Sequence, residues 1–480
     1  MVRTRFAPSP TGYMQIGNLR TAVYEYLFAR RHGGVFILRI EDTDQNRHVE
    51  GSLEVILDTL KIMGLDYDEG PGIGGGYGPY VQSERKADYL PHAKKLIENG
   101  NAYYCFCTEE RLDSLADAHG VTKYDRHCLN ISKDEALKQA ESGVPYVIRQ
   151  MIPEGRSEFN DEVFGKILIE NNELEDQILI KSDGMPTYNF ANVIDDHAMM
   201  ITHVVRGSEY ITSTPKYNLL YKAFGWDCPV YIHLPLLLNE KGEKISKRKG
   251  DPSVNDLLHM GYLPSAILNY CVFLGWSPDG NQEIFSLDEL TRVFDVRHIS
   301  KSPAKFDAVK MAWMNGEHIK RLPPEIFYEM ALPTLQEAVK TPGIDLKHLA
   351  AMVSSRINFI SDCHELLNFI DELPDYDVGL FTHKKMKTDS AVALAALKII
   401  FAELNNTANW TNENLYAIAT GAAAANGMSN SQILWPLRTA ASGKQSSPCG
   451  ASELCELLGK NESLRRICIA IDKLQSGGAC

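Results

Sequence analysis

No stretch of the 480-residue sequence approaches the roughly 18–20 consecutive apolar residues needed to span a bilayer, so no membrane partner is expected. The start carries no basic segment followed by an apolar run, which points away from a secretory signal and toward a cytoplasmic location. The ten cysteines are scattered rather than densely patterned, as in a reduced compartment rather than a disulfide framework. A basic excess is missing too. The net charge of −13 disfavours nonspecific polyanion binding, although a local basic patch can still hold phosphates. There is no strict internal repeat, and low complexity is confined to IGGGYG at 73–78 and ATGAAAANG at 419–427. The latter reads as an Ala-rich helix packed against a neighbour. What is present is ordinary for a soluble globular chain: 44% hydrophobic and 23% charged residues, in a length suited to about three domains.

The N-terminal pattern is a βαβ unit. VRTRF at 2–6 alternates and reads as a strand, and PSPTG at 8–12 turns the chain. Leu19, Ala22, Val23, Tyr26 and Leu27 then share one helical face, with Asn18 as N-cap and Gly33–Gly34 as the stop. VFILRI at 35–40 has the continuous apolar character of a buried parallel strand. Gly17 at the helix start lets a ligand approach exposed backbone N–H groups, where the helix dipole favours an anion. A plain tight turn needing glycine is the competing explanation. Far downstream, KGEKISKRKG at 241–250 gathers Lys244, Lys247, Arg248 and Lys249 between glycines. Most charge runs are solvated loops. Beside an anion-binding turn, this one reads instead as a clamp on a polyphosphate, neutralising charge on a leaving pyrophosphate.

Together these segments resemble the paired signatures of class I aminoacyl-tRNA synthetases. QIGN at 15–18 stands in the place of the H-I-G-H element and KISKR at 244–248 in that of K-M-S-K-S. RFAPSPTG (5–12), LRIEDTD (38–44), YGPYVQSER (77–85), DGMPTYNFANVIDDH (183–197), THVVRGSEY (202–210) and WMNG (313–316) narrow the resemblance to the bacterial glutamyl-tRNA synthetases. PLRTAASG (436–443) and LLGK (457–460) extend it to the end.

The resemblance implies an α/β fold with a Rossmann-like class I catalytic domain, an inserted acceptor-binding domain and an all-α C-terminal anticodon-binding domain. The expected boundaries are 1–95 and 185–250 for the two catalytic halves, 96–184 for the insertion, 251–323 for a stem-contact region and 324–480 for the helical domain. HLAAMVSSRINFISDCHELLNFI supports the helical tail independently. The glutaminyl relatives usually end in β-barrels. A short paralogue modifying a tRNA base would lack the anticodon domain.

The implied activity is ligation of L-glutamate to tRNA(Glu) through a glutamyl-adenylate, using ATP with Mg2+. Charging of tRNA(Gln) as well stays open, and a monomer is expected. The resemblance assigns glutamate contacts to Arg5, Ala7, Ser9, Glu41, Tyr188, Asn192 and Arg206. Arginine suits carboxylates because its planar fork binds two oxygens, and Glu41 would hold the α-ammonium. Which arginine takes which carboxylate does not follow from sequence. Gln15, Gly17, Asn18 and Lys247 are the expected ATP contacts, with Lys247 and Lys244 stabilising the transition state.

Gln15 stands where the family usually has histidine. Its amide offers two donors but no charge, so activation would slow by one or two orders of magnitude at most, given about 1.5–3 kcal/mol for charge-assisted hydrogen bonds against about 0.5–1.5 for neutral ones. A catalytically dead tRNA-binding paralogue is the competing class, supported only by Gln15 and Asn18. Some relatives carry zinc, which here would fall to Cys105, Cys107, Cys128 and a fourth ligand, Tyr124 or His127. The alternative is three unrelated buried thiols. Glycines 72–78 follow acidic YDEG rather than a strand and so fail as a dinucleotide fingerprint. A loop near the tRNA acceptor end is expected there. Arg356 in SSRINF is the anticodon candidate, since arginine can pair with a base edge. It is equally an ordinary surface arginine.

Overall fold

The computed structural model describes residues 1–44, 49–115, 123–245 and 250–476. The chain divides into two compact units, Met1–Met311 and Ala312–Cys480.

The first unit opens with β1 (Arg3–Phe6), α1 (Ile16–Arg31) and β2 (Val35–Leu38). The two strands pair in parallel, with Arg3 opposite Val35 and Phe6 opposite Leu38, so the expected βαβ unit forms. Leu19, Ala22, Val23 and Leu27 are fully buried, which explains why this face of α1 is apolar. Gly34 is needed where α1 hands over to β2: a Cβ there would lie 2.4 Å from the Val2 carbonyl oxygen. One detail differs from the sequence expectation. The N-cap of α1 is Gln15, in extended conformation, and Asn18 lies inside the first turn, its N–H bonded to the Gln15 carbonyl. The helix starts earlier because Ile16 and Leu19 are both buried and pull the first turn onto the core.

Next come α2 (Ser52–Ile62), α3 (Lys86–Glu98), β3 (Ala102–Cys105), α4 (Glu109–Asp113), α5 (Lys133–Glu141), β4 (Val147–Gln150), β5 (Arg156–Asp161), β6 (Gly165–Glu170) and β7 (Ile178–Ile180). They are followed by α6 (Tyr188–Ala198), β8 (His203–Gly207), α7 (Thr214–Phe224), β9 (Val230–Leu234) and β10 (Leu237–Leu238). Strands β3, β4 and β7 form an antiparallel sheet, and a second sheet runs β6-β5-β9-β8. The strands of residues 96–184 pack with elements outside that range. The β5–β6 hairpin joins β9 and β8 in one sheet, and Tyr104, Ile148 and Leu179 share a core with Tyr89, Phe190 and Tyr217 from α3, α6 and α7. Burying both faces of short strands requires that sharing. β1 lies beside the start of β8, where the Thr202 N–H donates to the Arg3 carbonyl and the Arg3 N–H donates to Thr202 Oγ1. The buried Glu25 carboxylate of α1 accepts the backbone N–H of both Arg5 and Val205, linking the two strands further along. The unit continues through α8 (Val254–His259), α9 (Pro264–Phe273), α10 (Leu287–Val293) and β11 (Ala304–Lys305), and the boundary falls within α11 (Ala308–Ile319).

The second unit is helical throughout its described residues: α12 (Pro324–Ala338), α13 (Leu346–Val353), α14 (Asp362–Leu367), α15 (Ser390–Asn405), α16 (Asn412–Ala425), α17 (Asn430–Ser442) and α18 (Ala451–Ser476), the last interrupted at Gly459. Ala419, Ala422 and Ala423 of the low-complexity stretch sit in its core with Leu397, Ile433 and Ile467, where small side chains let α16 approach its neighbours closely.

Candidate active site

A cavity of about 360 Å3 opens in the first unit at the C-terminal ends of β1 and β8, where the chain leaves each strand for a helix. That is where a parallel sheet of this kind offers its ligand crevice. The cavity brings together Arg5, Ala7, Ser9, Gln15, Gly17, Asn18, Glu41, Tyr188, Arg206 and Lys244, from six separate stretches of sequence. Asn192 is not part of its lining. It lies one turn after Tyr188 on α6, buried, with its Nδ2 unpartnered among the described residues. Lys247, Arg248 and Lys249 lie outside the described residues.

At the head of α1, a Cβ added to Gly17 would meet nothing within 4 Å. The chain's own packing does not require glycine there; the open side faces the cavity. The first turn of α1 contains no acidic residue, so no side chain offsets its positive end. Both amide atoms of Gln15 are buried and make no hydrogen bond among the described residues. Such a group costs about 1–3 kcal/mol until a partner arrives. The same turn is tied to the residues following the basic loop: the Val254 N–H donates to the Met14 carbonyl, and Gln15 bridges Ser253, the N-cap of α8.

The two cavity arginines are unequal. Arg5 is 5% exposed and already paired, its Nε with Asp196 (3.0 Å) and its Nη1 with Glu25 (3.2 Å). Arg39 pairs with the same Asp196 (2.6 Å) and with Glu41 (2.9 Å). Burial pushes the Asp196 carboxyl up, but Arg39 and Arg5 outweigh it and hold it below its ordinary value. This network sets two guanidiniums against three carboxylates and leaves Glu41 Oε2 buried without a partner among the described residues. Burial raises the Glu41 pKa to about 7 against the pull of Arg39 and Arg5. Arg206, 7% exposed, makes no ion pair among the described residues. Its Nε donates to His233 Nε2 (3.2 Å) and its Nη2 to Thr214 Oγ1 (2.7 Å). Tyr210, Tyr217 and Tyr231 present their rings to it at 5.4, 4.7 and 5.2 Å. A buried cation held only by neutral groups calls for an anion.

Some lining residues were not singled out from sequence. Glu209 pairs with Lys244 (2.9 Å) at the cavity edge. Tyr210 stacks obliquely on Tyr188 at 5.9 Å. Arg20 reaches through α1 to donate to the carbonyls of Leu274 and Pro235. Glu209 and Tyr210 stand four or fewer residues after Arg206 in one quoted motif, the only signal available for them.

A second cluster lies at the end of β3. The sulfurs of Cys105, Cys107 and Cys128 fall within 4.8 Å of one another. The Tyr124 hydroxyl lies 3.3 Å from Cys105 Sγ and 3.8 Å from Cys107 Sγ, and Cys107 and Cys128 are 3.5 Å apart. Tetrahedral zinc with sulfur at about 2.3 Å places its sulfurs about 3.8 Å apart, so three thiols and a phenol fit that ion. His127 is exposed and does not join the group. Burial pushes the Cys105 thiol up, but Tyr124, the Cys107 backbone and Arg149 outweigh it and the net direction is down.

In the helical unit Arg356 is exposed just after α13. Arg438 lies over the Trp435 ring at 4.4 Å, and burial followed by the nearby Arg356 charge lowers its pKa.

Known proteins match over the whole length. The family of class I tRNA synthetases (E and Q), catalytic domain, matches residues 1–313, and an anticodon binding domain matches 326–471. The glutamate–tRNA ligase of Lachnoclostridium phytofermentans is 56% identical, and that of Clostridium acetobutylicum 52%, each across 99% of both chains. A crystal structure of a glutamate tRNA ligase from Elizabethkingia meningosepticum, in complex with its amino acid, superposes with a TM-score of 0.84 at 35% identity, covering 98% of this chain and 99% of that one. With the split βαβ cavity, the helical second unit and full-length identity above one half, this chain belongs to the glutamate–tRNA ligases of the class I synthetase family.

Proposed function

We propose that the chain ligates L-glutamate to tRNA(Glu) in two steps. In the first, the α-carboxylate of glutamate attacks the α-phosphorus of ATP, which enters with Mg2+, and pyrophosphate leaves. In the second, a ribose hydroxyl at the tRNA 3′ end attacks the glutamyl-adenylate and AMP leaves. No protein nucleophile is needed; positioning and charge stabilisation supply the acceleration.

The observation that carries this reading is Arg206, a buried guanidinium whose partners among the described residues are all neutral. Because Arg5 is already paired with Asp196 and hydrogen-bonded to Glu25, Arg206 is the stronger attractor for a substrate carboxylate, and we assign it the side-chain carboxylate. The unpartnered Oε2 of Glu41 suits the α-ammonium. Ala7, Ser9 and Tyr188 shape the same space, and Asn192 supports it from behind. The N-terminus of α1, with Gly17, Asn18 and the unpartnered Gln15 amide, takes ATP phosphates. Lys244 and, on sequence grounds, Lys247 offset charge on the departing pyrophosphate.

Arg356 is assigned to the anticodon loop. The neighbouring Arg438–Trp435 pair supports this, since a cation over an aromatic ring suits stacked bases. Zinc held by Cys105, Cys107, Tyr124 and Cys128 would be structural, pinning the end of β3 to the loop around 124–128; zinc requires the thiols as thiolates. Metal analysis of the purified protein is expected to find about one zinc per chain. A metal-free protein with the same fold would leave the cluster as buried thiols.

The test of the function is charging with labelled glutamate, using tRNA(Glu) and tRNA(Gln) separately. Glutamate on tRNA(Glu) supports the reading, and the second tRNA reports how strictly the anticodon is read. No charging of either, with tRNA binding intact, refutes it.

A further inference from the structure

Arg206, His233 and Asp161 form a row across three adjacent strands. Arg206 on β8 is the register partner of His233 on β9. Asp161 ends β5, which pairs with β9 at Tyr231. Side chains two residues apart on a strand share a face, so this topology places a carboxylate behind the imidazole and the imidazole behind the guanidinium. The distances are short: His233 Nδ1 to Asp161 Oδ2 is 2.6 Å, and Arg206 Nε to His233 Nε2 is 3.2 Å. His233 and Asp161 are fully buried side chains.

The protonation pattern follows from donor chemistry. An arginine Nε–H only donates, so His233 Nε2 accepts. The ring proton therefore sits on Nδ1 and is donated to Asp161. Asp161 is itself held firmly. Its Oδ1 accepts the backbone N–H of Val163 and Phe164, and its Oδ2 also accepts that of His233. With both Asp161 oxygens occupied in this way, the imidazole has one tautomer and one orientation available. Burial, with a smaller contribution from the Arg206 charge, lowers the basicity of His233 against the opposing pull of Asp161, which agrees with a neutral ring.

We propose that His233, fixed by Asp161, is a positioning residue that aims Arg206 at the side-chain carboxylate of the substrate and so sets the preference for glutamate over its neutral amide. The proposal rests on the assignment of Arg206 to that carboxylate. His233 and Thr214 occupy the Nε and Nη2 hydrogens with neutral acceptors. The guanidinium is thereby oriented without being paired to a carboxylate among the described residues, unlike Arg5. An arginine fixed by carboxylates would have its charge satisfied before substrate arrives, and a neutral amide would then be rejected less strongly. A neutral imidazole gives direction and leaves the full charge for the ligand.

The test is steady-state charging of tRNA(Glu) by the full chain, with glutamate varied and glutamine as competitor, for the unaltered protein, His233→Phe and His233→Gln. His233→Phe removes the acceptor. It is expected to raise the glutamate KM about tenfold to a hundredfold, with kcat and the ATP KM changed less than about threefold, and to weaken discrimination against glutamine. His233→Gln, whose amide oxygen can accept the same N–H, should recover most of the loss. A second measurement reads the unaltered protein itself: its imidazole 15N shifts, with the His233 signal assigned by its loss in His233→Gln, should report a neutral ring protonated at Nδ1 at pH 7. An unchanged glutamate KM in the Phe variant, a common shift of glutamate KM, ATP KM and melting temperature in both variants, or a ring protonated at Nε2 would overturn the proposal. Failure of the unaltered protein to charge tRNA at all would instead refute the assignment on which it rests.

Discussion

At the scale of single residues, the cavity holds several buried polar groups that lack partners among the described residues. Among the described residues, Gln15 keeps both amide atoms without partners, Glu41 keeps one oxygen, and Arg206 makes no ion pair. A folded protein ordinarily pairs such groups, so three of them at one cavity mark where ligand groups belong. Gln15→His is expected to raise the activation rate by no more than about one to two orders of magnitude, because both residues can donate to phosphate and only the added charge differs. Pyrophosphate exchange measures this, and a gain of several orders of magnitude would mean that the native turn is crippled. Glu41 gives a pH prediction. Burial raises its pKa to about 7, so the carboxylate protonates on passing downward through that value. Protonation removes the negative charge that the substrate ammonium needs. The glutamate KM should therefore be lowest above pH 7 and rise steadily below it. A KM flat from pH 8 to pH 6 would remove Glu41 from ammonium binding.

At the scale of elements, the site exists because strand ends and a helix start converge. α1 places Gly17 and Asn18 at the cavity while its buried face, Leu19 to Leu27, anchors it. The entry into β2 relies on Gly34, whose added Cβ would strike the Val2 backbone. Gly34→Ala should cost about 1–3 kcal/mol of stability, as overpacking does, read as a lower urea midpoint with little change in KM for a folded protein; an unaltered midpoint would show that the turn can open. The βαβ unit was legible in the sequence because strand alternation and helical periodicity were both strong and local. The N-cap of α1 was not legible, because burial of Ile16 outweighed the intrinsic capping preference of Asn18. Nor was the Asp161–His233–Arg206 row. Its members lie 45 and 27 residues apart in order of number, and only the pairing of β5, β9 and β8 makes them neighbours. The same holds for the pairing of Arg5, since Glu25 and Asp196 carry no motif linking them to it.

At the scale of the whole molecule, the two units carry separable tasks. The residues proposed to bind glutamate and ATP lie in the first, Met1–Met311, and Arg356, proposed for the anticodon, in the second, Ala312–Cys480. Arg356→Ala should lower kcat/KM for tRNA(Glu) by about tenfold, the value of one good base contact, and leave the glutamate KM unchanged; a shift in glutamate KM instead would place its role elsewhere. The overall organisation was legible because the family motifs are long and spread from residue 5 to residue 460, whereas charge distribution inside the cavity is a property of tertiary pairing alone. That charge distribution is also the central claim, and one experiment addresses it directly: charging of tRNA(Glu) with labelled glutamate by the unaltered chain and by Arg206→Gln, side by side. The unaltered chain should charge, and the variant should lose at least about a hundredfold in kcat/KM for glutamate, as expected when a buried charge-assisted pair is removed, while still binding tRNA. Equal glutamate kinetics in the two proteins would contradict the account.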